Sequence, residues 1–174
     1  DEESCQRMMF PLPAIGISGV GQIGGSIALG ASKRNLAERI IAYDTNEEHI
    51  RFCREAGAVS DVMPLEALAK QCSFIILAVP PEKTVPLALE VAKNAQEGTV
   101  ITDVGSIKLS IVESLKDALP ESVRFIPGHP IAGGTRTGPF DAQGDIFARK
   151  LVMLTPPLGI DINDPALRVV AEFW

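Results

Sequence analysis

Two hydrophobic rhythms alternate along this chain. Short, nearly continuous apolar blocks occupy residues 14–18, 39–43, 73–79, 99–102, 123–126 and 151–154. Each is too short for a helix and is bounded by glycine, proline or polar residues, which predicts buried strands, with a further short strand within 58–62. Between them the spacing changes to the helical period. Ile23, Ile27 and Gly30/Ala31 share one face of a helix over 23–33, with Asn35 as its stop. The polar run TNEEHIRFCREAG makes the next helix, ended by Gly57, and a short helix follows over 64–70. Thr84 is placed to cap a helix whose Val85, Ala88, Leu89 and Ala92 repeat at i, i+3, i+4 and i+7, ended by Gly98. Ser106 or a neighbour opens another, with Ile107, Ile111, Leu115 and Ala118 on one face and Pro120 just beyond it. The last helix begins at Asp164 with Pro165 near its first position and reaches the end of the chain without a stop signal, so the protein is expected to continue. Strand and helix in repeated alternation predict an α/β fold: a doubly wound, mostly parallel sheet with helices on both faces.

The first strand-to-helix junction is the most informative. Gly19-Val20-Gly21-Gln22-Ile23-Gly24 follows an apolar strand and opens a helix of small residues. The first glycine allows a tight turn, the second lets backbone approach a pyrophosphate, and the third lets helix pack on strand; the helix N-terminus then offers free N–H groups and a positive dipole end. This is a Rossmann-type dinucleotide turn, with Gly19, Gly21, Gln22, Ile23 and Gly24 as cofactor-binding candidates. The second strand ends on Asp44, 20 residues after Gly24. A carboxylate there accepts hydrogen bonds from the adenosine ribose and repels a 2′-phosphate, which favours NAD over NADP. Its competing role is a helix cap, for which Thr45 and Asn46 are alternatives.

Composition fits this and narrows the partners. The 174 residues are 46% hydrophobic and 22% charged, with a net charge of −6. No Lys/Arg stripe forms, so nucleic acid and anionic membrane are poor partners. No apolar run approaches the ~18 residues of a membrane span, and the acidic start DEESCQRMM does not read as a signal peptide. Residues 1–13 are read as a lead-in and 14–174 as one nucleotide-binding domain. Cys5, Cys53 and Cys72 lack metal or disulfide spacing and fit a reducing compartment, hence the cytoplasm; no metal site is expected.

Ligands of such sheets bind beyond the carboxyl ends of the strands. Three strand-end loops supply candidates: Val79-Pro80, the segment from Asp103 to Lys108, and the segment from Gly128 to Gly134. Val79, Pro80 and Asp103 are read as cofactor contacts. His49 lies among charges on a helix and reads as a solvated side chain. His129, on a small-residue loop between Gly128 and Pro130, reads as a general base or as a structural loop histidine. Ser106 either orients that imidazole, binds substrate or caps a helix, and Lys108 reads as solvated more readily than as a carboxylate ligand.

GVGQIGGSIA, IIAYD, IILAVPP, ITDVGSIK and PGHPIAGG…TGP, followed by IF and LTP, together resemble the prephenate/arogenate dehydrogenase family of tyrosine biosynthesis, from Ile15 to Trp174. The DVGSIK and GHPIAGG pair is the most particular to it. The resemblance implies NAD-dependent oxidative decarboxylation of prephenate or arogenate to 4-hydroxyphenylpyruvate or tyrosine, with His129 accepting the hydroxyl proton and Ser106 fixing its geometry. Ser106, His129, Gly134, Thr135, Arg136 and Thr137 are the implied substrate contacts. The family often carries an acidic residue where this chain has Thr135, which leaves Arg136 as a carboxylate ligand or an exposed cation; Asp141 and Asp145 are candidate acids for the arogenate ammonium. Family members continue into a helical domain that forms a homodimer and completes the pocket, and that domain is absent here. A non-catalytic NAD-binding module and another Rossmann dehydrogenase or imine reductase are the alternatives.

Overall fold

In the computed structural model, which describes residues 9–131 and 138–174, six strands form one parallel sheet. They are β1 (Leu12–Ser18), β2 (Ala37–Tyr43), β3 (Asp61–Val62), β4 (Phe74–Leu77), β5 (Thr99–Asp103) and β6 (Val123–Phe125), in the spatial order β3-β2-β1-β4-β5-β6. Parallel neighbours need crossover connections, and each one here carries a helix. These are α1 (Gln22–Lys33), α2 (Glu47–Glu55), α3 (Leu65–Gln71), α4 (Pro81–Asn94) and α5 (Leu109–Leu115), with α6 (Pro165–Phe173) closing the chain. From β1 the chain winds outward to β3, then returns to lay β4 on the other side of β1. The loops after β1 and β4 therefore leave in opposite directions and open a crevice between them.

Successive strand residues feed two cores. Ile15, Ile17, Ile40 and Ile76 pack with Ile27, Ala28 and Ala31 of α1 and with Ala166, Val169 and Val170 of α6. Ala14, Ile41, Ile75, Leu77 and Ile101 pack with Leu68 of α3, Ala88 and Val91 of α4, and Ile111 and Leu115 of α5. Burial on both faces is why the strands read as continuous apolar runs rather than as alternation. The small residues of α1, with Gly24, Gly25, Ala28, Gly30 and Ala31 all buried, let that helix sit close to the sheet.

Several elements differ from expectation, each for a local reason. β1 starts two residues before the expected strand, and Phe10 packs edge-on against Phe74 at 6.5 Å and on Phe173 at 6.1 Å, so 9–13 belongs to the packed domain. Thr84 does not cap α4. The helix starts at Pro81, where proline's fixed φ and missing N–H cost nothing, and Thr84 is buried within it beside Ala88 and Val91. α5 starts at Leu109, which leaves Ile107 outside the helix and half exposed, and Ser106 caps nothing. Residues 128–130 are a strand, β7 (Gly128–Pro130), paired antiparallel with β8 (Val152–Leu154). Asn35 ends α1 in the left-handed region at φ 52°, and Asp164 caps α6 by accepting from the N–H groups of Ala166 and Leu167. No described helix is long and apolar enough to cross a membrane.

Candidate functional site

The glycine turn is walled by backbone on two sides, from the end of β4 and from the turn itself, and is open on the third. Gly19 has φ +88°, and a Cβ there would lie 2.4 Å from the Ala78 carbonyl oxygen. At Gly24 a Cβ would lie 1.8 Å from the Gly19 carbonyl oxygen, so helix and turn touch backbone to backbone. Gly21 meets nothing within 4 Å. Gly21 is also the N-cap of α1; no side chain caps the helix and its first turn carries no acid. The α1 N–H groups around Gln22, Ile23 and Gly24 thus present an uncapped dipole end beside an open glycine, which is the cradle a pyrophosphate requires.

Asp44 secures this turn. Its Oδ2 accepts the Val20 N–H at 2.8 Å and its Oδ1 accepts the Asn46 N–H at 2.8 Å. The cap of α2 is Asn46, whose Oδ1 accepts from Glu48 and His49. Asp44 is therefore free of the capping role and lines a crevice of about 390 Å³ with Gly19, Gly21, Val79 and Pro80. His49 lines the same crevice, its side chain only one-fifth exposed and its Nδ1 3.6 Å from Asp44 Oδ2. The expectation of a solvated side chain is overturned. As the third residue of α2 it turns back over the helix start, and Phe140 lies edge-on to its ring at 6.1 Å.

A second group of candidates lies around β7. Asp103, fully buried at the end of β5, accepts the Gly105 and Gly128 N–H groups, each at 3.2 Å, and pairs with Lys108 Nζ at 2.5 Å. Asp103 thus ties β7 and the β5–α5 loop to the sheet and is absent from the crevice wall. Lys108 is not solvated: its side chain is 15% exposed and turned inward onto Asp103. Burial pushes the Asp103 carboxyl up and the Lys108 amine down; the ion pair opposes both shifts, and the Gly128 and Gly105 N–H donors also oppose that of Asp103. His129 sits opposite Met153 in the β7–β8 ribbon, half-buried, with Nδ1 3.5 Å from the Val104 carbonyl oxygen. In the tautomer that donates there, Nε2 keeps its lone pair. The β5–α5 loop reaches His129 through Val104; Ser106, exposed two residues further on, makes no hydrogen bond with it.

Gly134, Thr135, Arg136 and Thr137 lie outside the described residues. Asp145 is committed to α1, pairing with Arg34 at 3.0 Å and Lys33 at 3.9 Å. Sequence reasoning missed His49 and Lys108. The available signal was spacing, since each follows a strand-end aspartate, Asp44 or Asp103, by five residues.

A parallel sheet in this order, with an open glycine turn and a strand-end acid beside it, defines a dinucleotide-binding domain of the dehydrogenase type. The family described as prephenate dehydrogenase, nucleotide-binding domain, matches residues 27–174, and the chain belongs to it. It is 34% identical over 142 residues to the prephenate dehydrogenase of Bacillus subtilis, covering 80% of this chain and 38% of that protein. It is 28% identical over 164 residues to the cyclohexadienyl dehydrogenase of Zymomonas mobilis, covering 92% and 54%. The crystal structure of A. aeolicus prephenate dehydrogenase, in complex with hydroxyphenyl propionate and NAD+, superposes with a TM-score of 0.84 at 28% identity, over 94% of this chain and 56% of that one. The chain thus spans between about two-fifths and a little over half of these relatives.

Proposed function

We propose that this chain is the NAD-binding half of a prephenate or arogenate dehydrogenase, a cytoplasmic enzyme of tyrosine biosynthesis that acts as a homodimer assembled through a region outside this chain. The observation that carries the proposal is His129, held on β7 by Asp103 and Val104 beyond the carboxyl ends of the same sheet whose β1–α1 turn forms the open glycine cradle. Family membership supplies the reaction class.

Gly19, Gly21, Gly24 and the first turn of α1 would hold the pyrophosphate, Asp44 the adenosine ribose, and Val79-Pro80 the wall beside it. When bound, NAD supplies the hydride acceptor. The substrate ring loses a hydride from the carbon bearing its hydroxyl, the hydroxyl proton passes to His129 Nε2, and the ring carboxylate leaves as carbon dioxide as the ring becomes aromatic; the phenolate oxygen so formed then takes the proton back. His129 must be neutral to accept that proton, so turnover falls in acid as the imidazole protonates. Ser106, on the loop that packs against His129, is proposed to meet the substrate hydroxyl. Gly134, Thr135, Arg136 and Thr137 are proposed to line the substrate side.

Steady-state assays of the full-length protein test this. NADH and carbon dioxide should form in equal amounts with prephenate or arogenate; no turnover with either overturns the proposal. Asp44→Ala tests the cofactor assignment separately. It removes an ionic acceptor from the Val20 N–H and the ribose, so NAD affinity should fall by roughly tenfold or more, and the preference over NADP should shrink. Tighter binding of NADP than of NAD by the unaltered protein would contradict the role given to Asp44.

A further inference from the structure

We propose that His49 is a specificity-determining residue of the dinucleotide crevice, and that the charge on its imidazole sets how strongly the Asp44 end rejects a 2′-phosphate. The inference rests on reading the crevice as a nicotinamide dinucleotide site. It starts from a fixed pair. Asp44 cannot swing away, because both of its oxygens are held by backbone N–H groups at 2.8 Å. The backbone N–H of His49 bonds to the Asn46 cap, and its ring stands edge-on to Phe140, which packs in turn on Phe52 at 5.4 Å. Gly138 lies beside both rings: a Cβ there would come within 2.9 Å of Phe140 and 3.2 Å of His49 Nε2. The imidazole packs beside Phe140 with Nδ1 3.6 Å from Asp44 Oδ2, and both side chains line the crevice at the end of β2.

The consequence is electrostatic. With His49 neutral, Asp44 presents a full negative charge to whatever occupies the ribose position, and a 2′-phosphate is repelled. With His49 protonated, the two charges cancel, and the imidazolium itself attracts the phosphate. The other titratable groups around it do not reproduce this. Glu82 and Lys83 of α4 line the opposite wall with opposite charges, and Asp141 on the turn beside Phe140 is already engaged. On α2 itself, Glu48 pairs with Arg51, and burial, then the charge of Asp44, pushes the Cys53 thiol up to about 11, so it stays neutral. Imidazole is the side-chain type among these that ordinarily changes charge between about pH 5 and 8.

The test measures dissociation constants of NAD and NADP for the full-length protein at about pH 6 and about pH 8, in the parent, His49→Gln and His49→Lys. In the parent, the NADP-to-NAD ratio of dissociation constants should fall on the order of tenfold from the higher to the lower pH. His49→Gln should keep only the smaller change that comes from protonation of the 2′-phosphate itself, whose second pKa is about 6. His49→Lys should hold the ratio low at both pH values. Lost packing against Phe140 would weaken both dinucleotides together and leave the ratio unmoved, so the ratio reports charge. Equal pH dependence in parent and His49→Gln, or an unchanged ratio in His49→Lys, overturns the proposal. Failure of the parent to bind NAD at either pH overturns the crevice reading, and this inference with it.

Discussion

His129→Asn in the full-length enzyme is expected to lower kcat by about a thousandfold while NAD affinity stays within about twofold of the parent. The two halves of that result have separate structural origins. His129 stands on the β7–β8 ribbon, and the crevice wall is made by the β1, β2 and β4 strand ends, so removing the imidazole leaves the cradle untouched. Asparagine keeps a donor that can reach the Val104 carbonyl oxygen, so the ribbon should hold its place. What it lacks is a basic nitrogen where Nε2 was, and general-base assistance contributes about a hundredfold to ten-thousandfold. A positioned base should also leave its signature in the pH profile. The parent should lose activity in acid as the imidazole protonates, and the residual activity of His129→Asn should lose that limb. Turnover within a few-fold of the parent, or an acid limb that persists unchanged, would remove His129 from the role of base.

How much of this was readable in advance follows from the range of each constraint. The glycine turn is a local device: a positive φ at Gly19 and backbone contact at Gly24 admit no side chain, so three glycines at fixed spacing specify it from within six residues. Asp44 is nearly as local, because a strand of fixed length carries it to the same end of the sheet as the turn. The two-faced sheet was legible from continuous apolar runs. What was not legible is pairing across distance. β7 has only three residues, one of them proline, and becomes a strand only because β8, more than twenty residues later, pairs with it. The inward turn of Lys108 depends on Asp103 being fully buried at a strand end, and a Ser-Ile-Lys sequence before a helix gives no sign of that. His49 was hidden in the same way, among charged neighbours on a polar helix. Its surroundings are set by Phe140 and Gly138, about ninety residues downstream.

Lys108→Met is expected to cost about 3 kcal/mol of folding stability, measured by urea unfolding, because it strands Asp103. The two side chains are 15% and 1% exposed, and removing one member of a buried pair typically costs 3–5 kcal/mol by leaving a charge without its counterion. The low end applies because two N–H donors, from Gly105 and Gly128, still face the carboxylate, and because it can escape by taking up a proton. Burial already raises the Asp103 carboxyl, and without the ammonium it rises further. A carboxyl whose folded-state pKa lies above its unfolded value stabilises the fold at low pH and loses that contribution as pH rises through the folded value. The deficit of Lys108→Met relative to the parent should therefore narrow as pH falls and be widest at neutral pH and above. Adding Asp103→Asn should recover most of the loss, since the double variant has no unpaired charge and the asparagine oxygen can still accept from Gly128. The single variant should also lose kcat more than NAD affinity, because the carboxylate that fixes Gly128 holds the strand that carries His129. A deficit below about 1 kcal/mol, or one that widens in acid, would mean that Asp103 does not depend on Lys108 as its counterion.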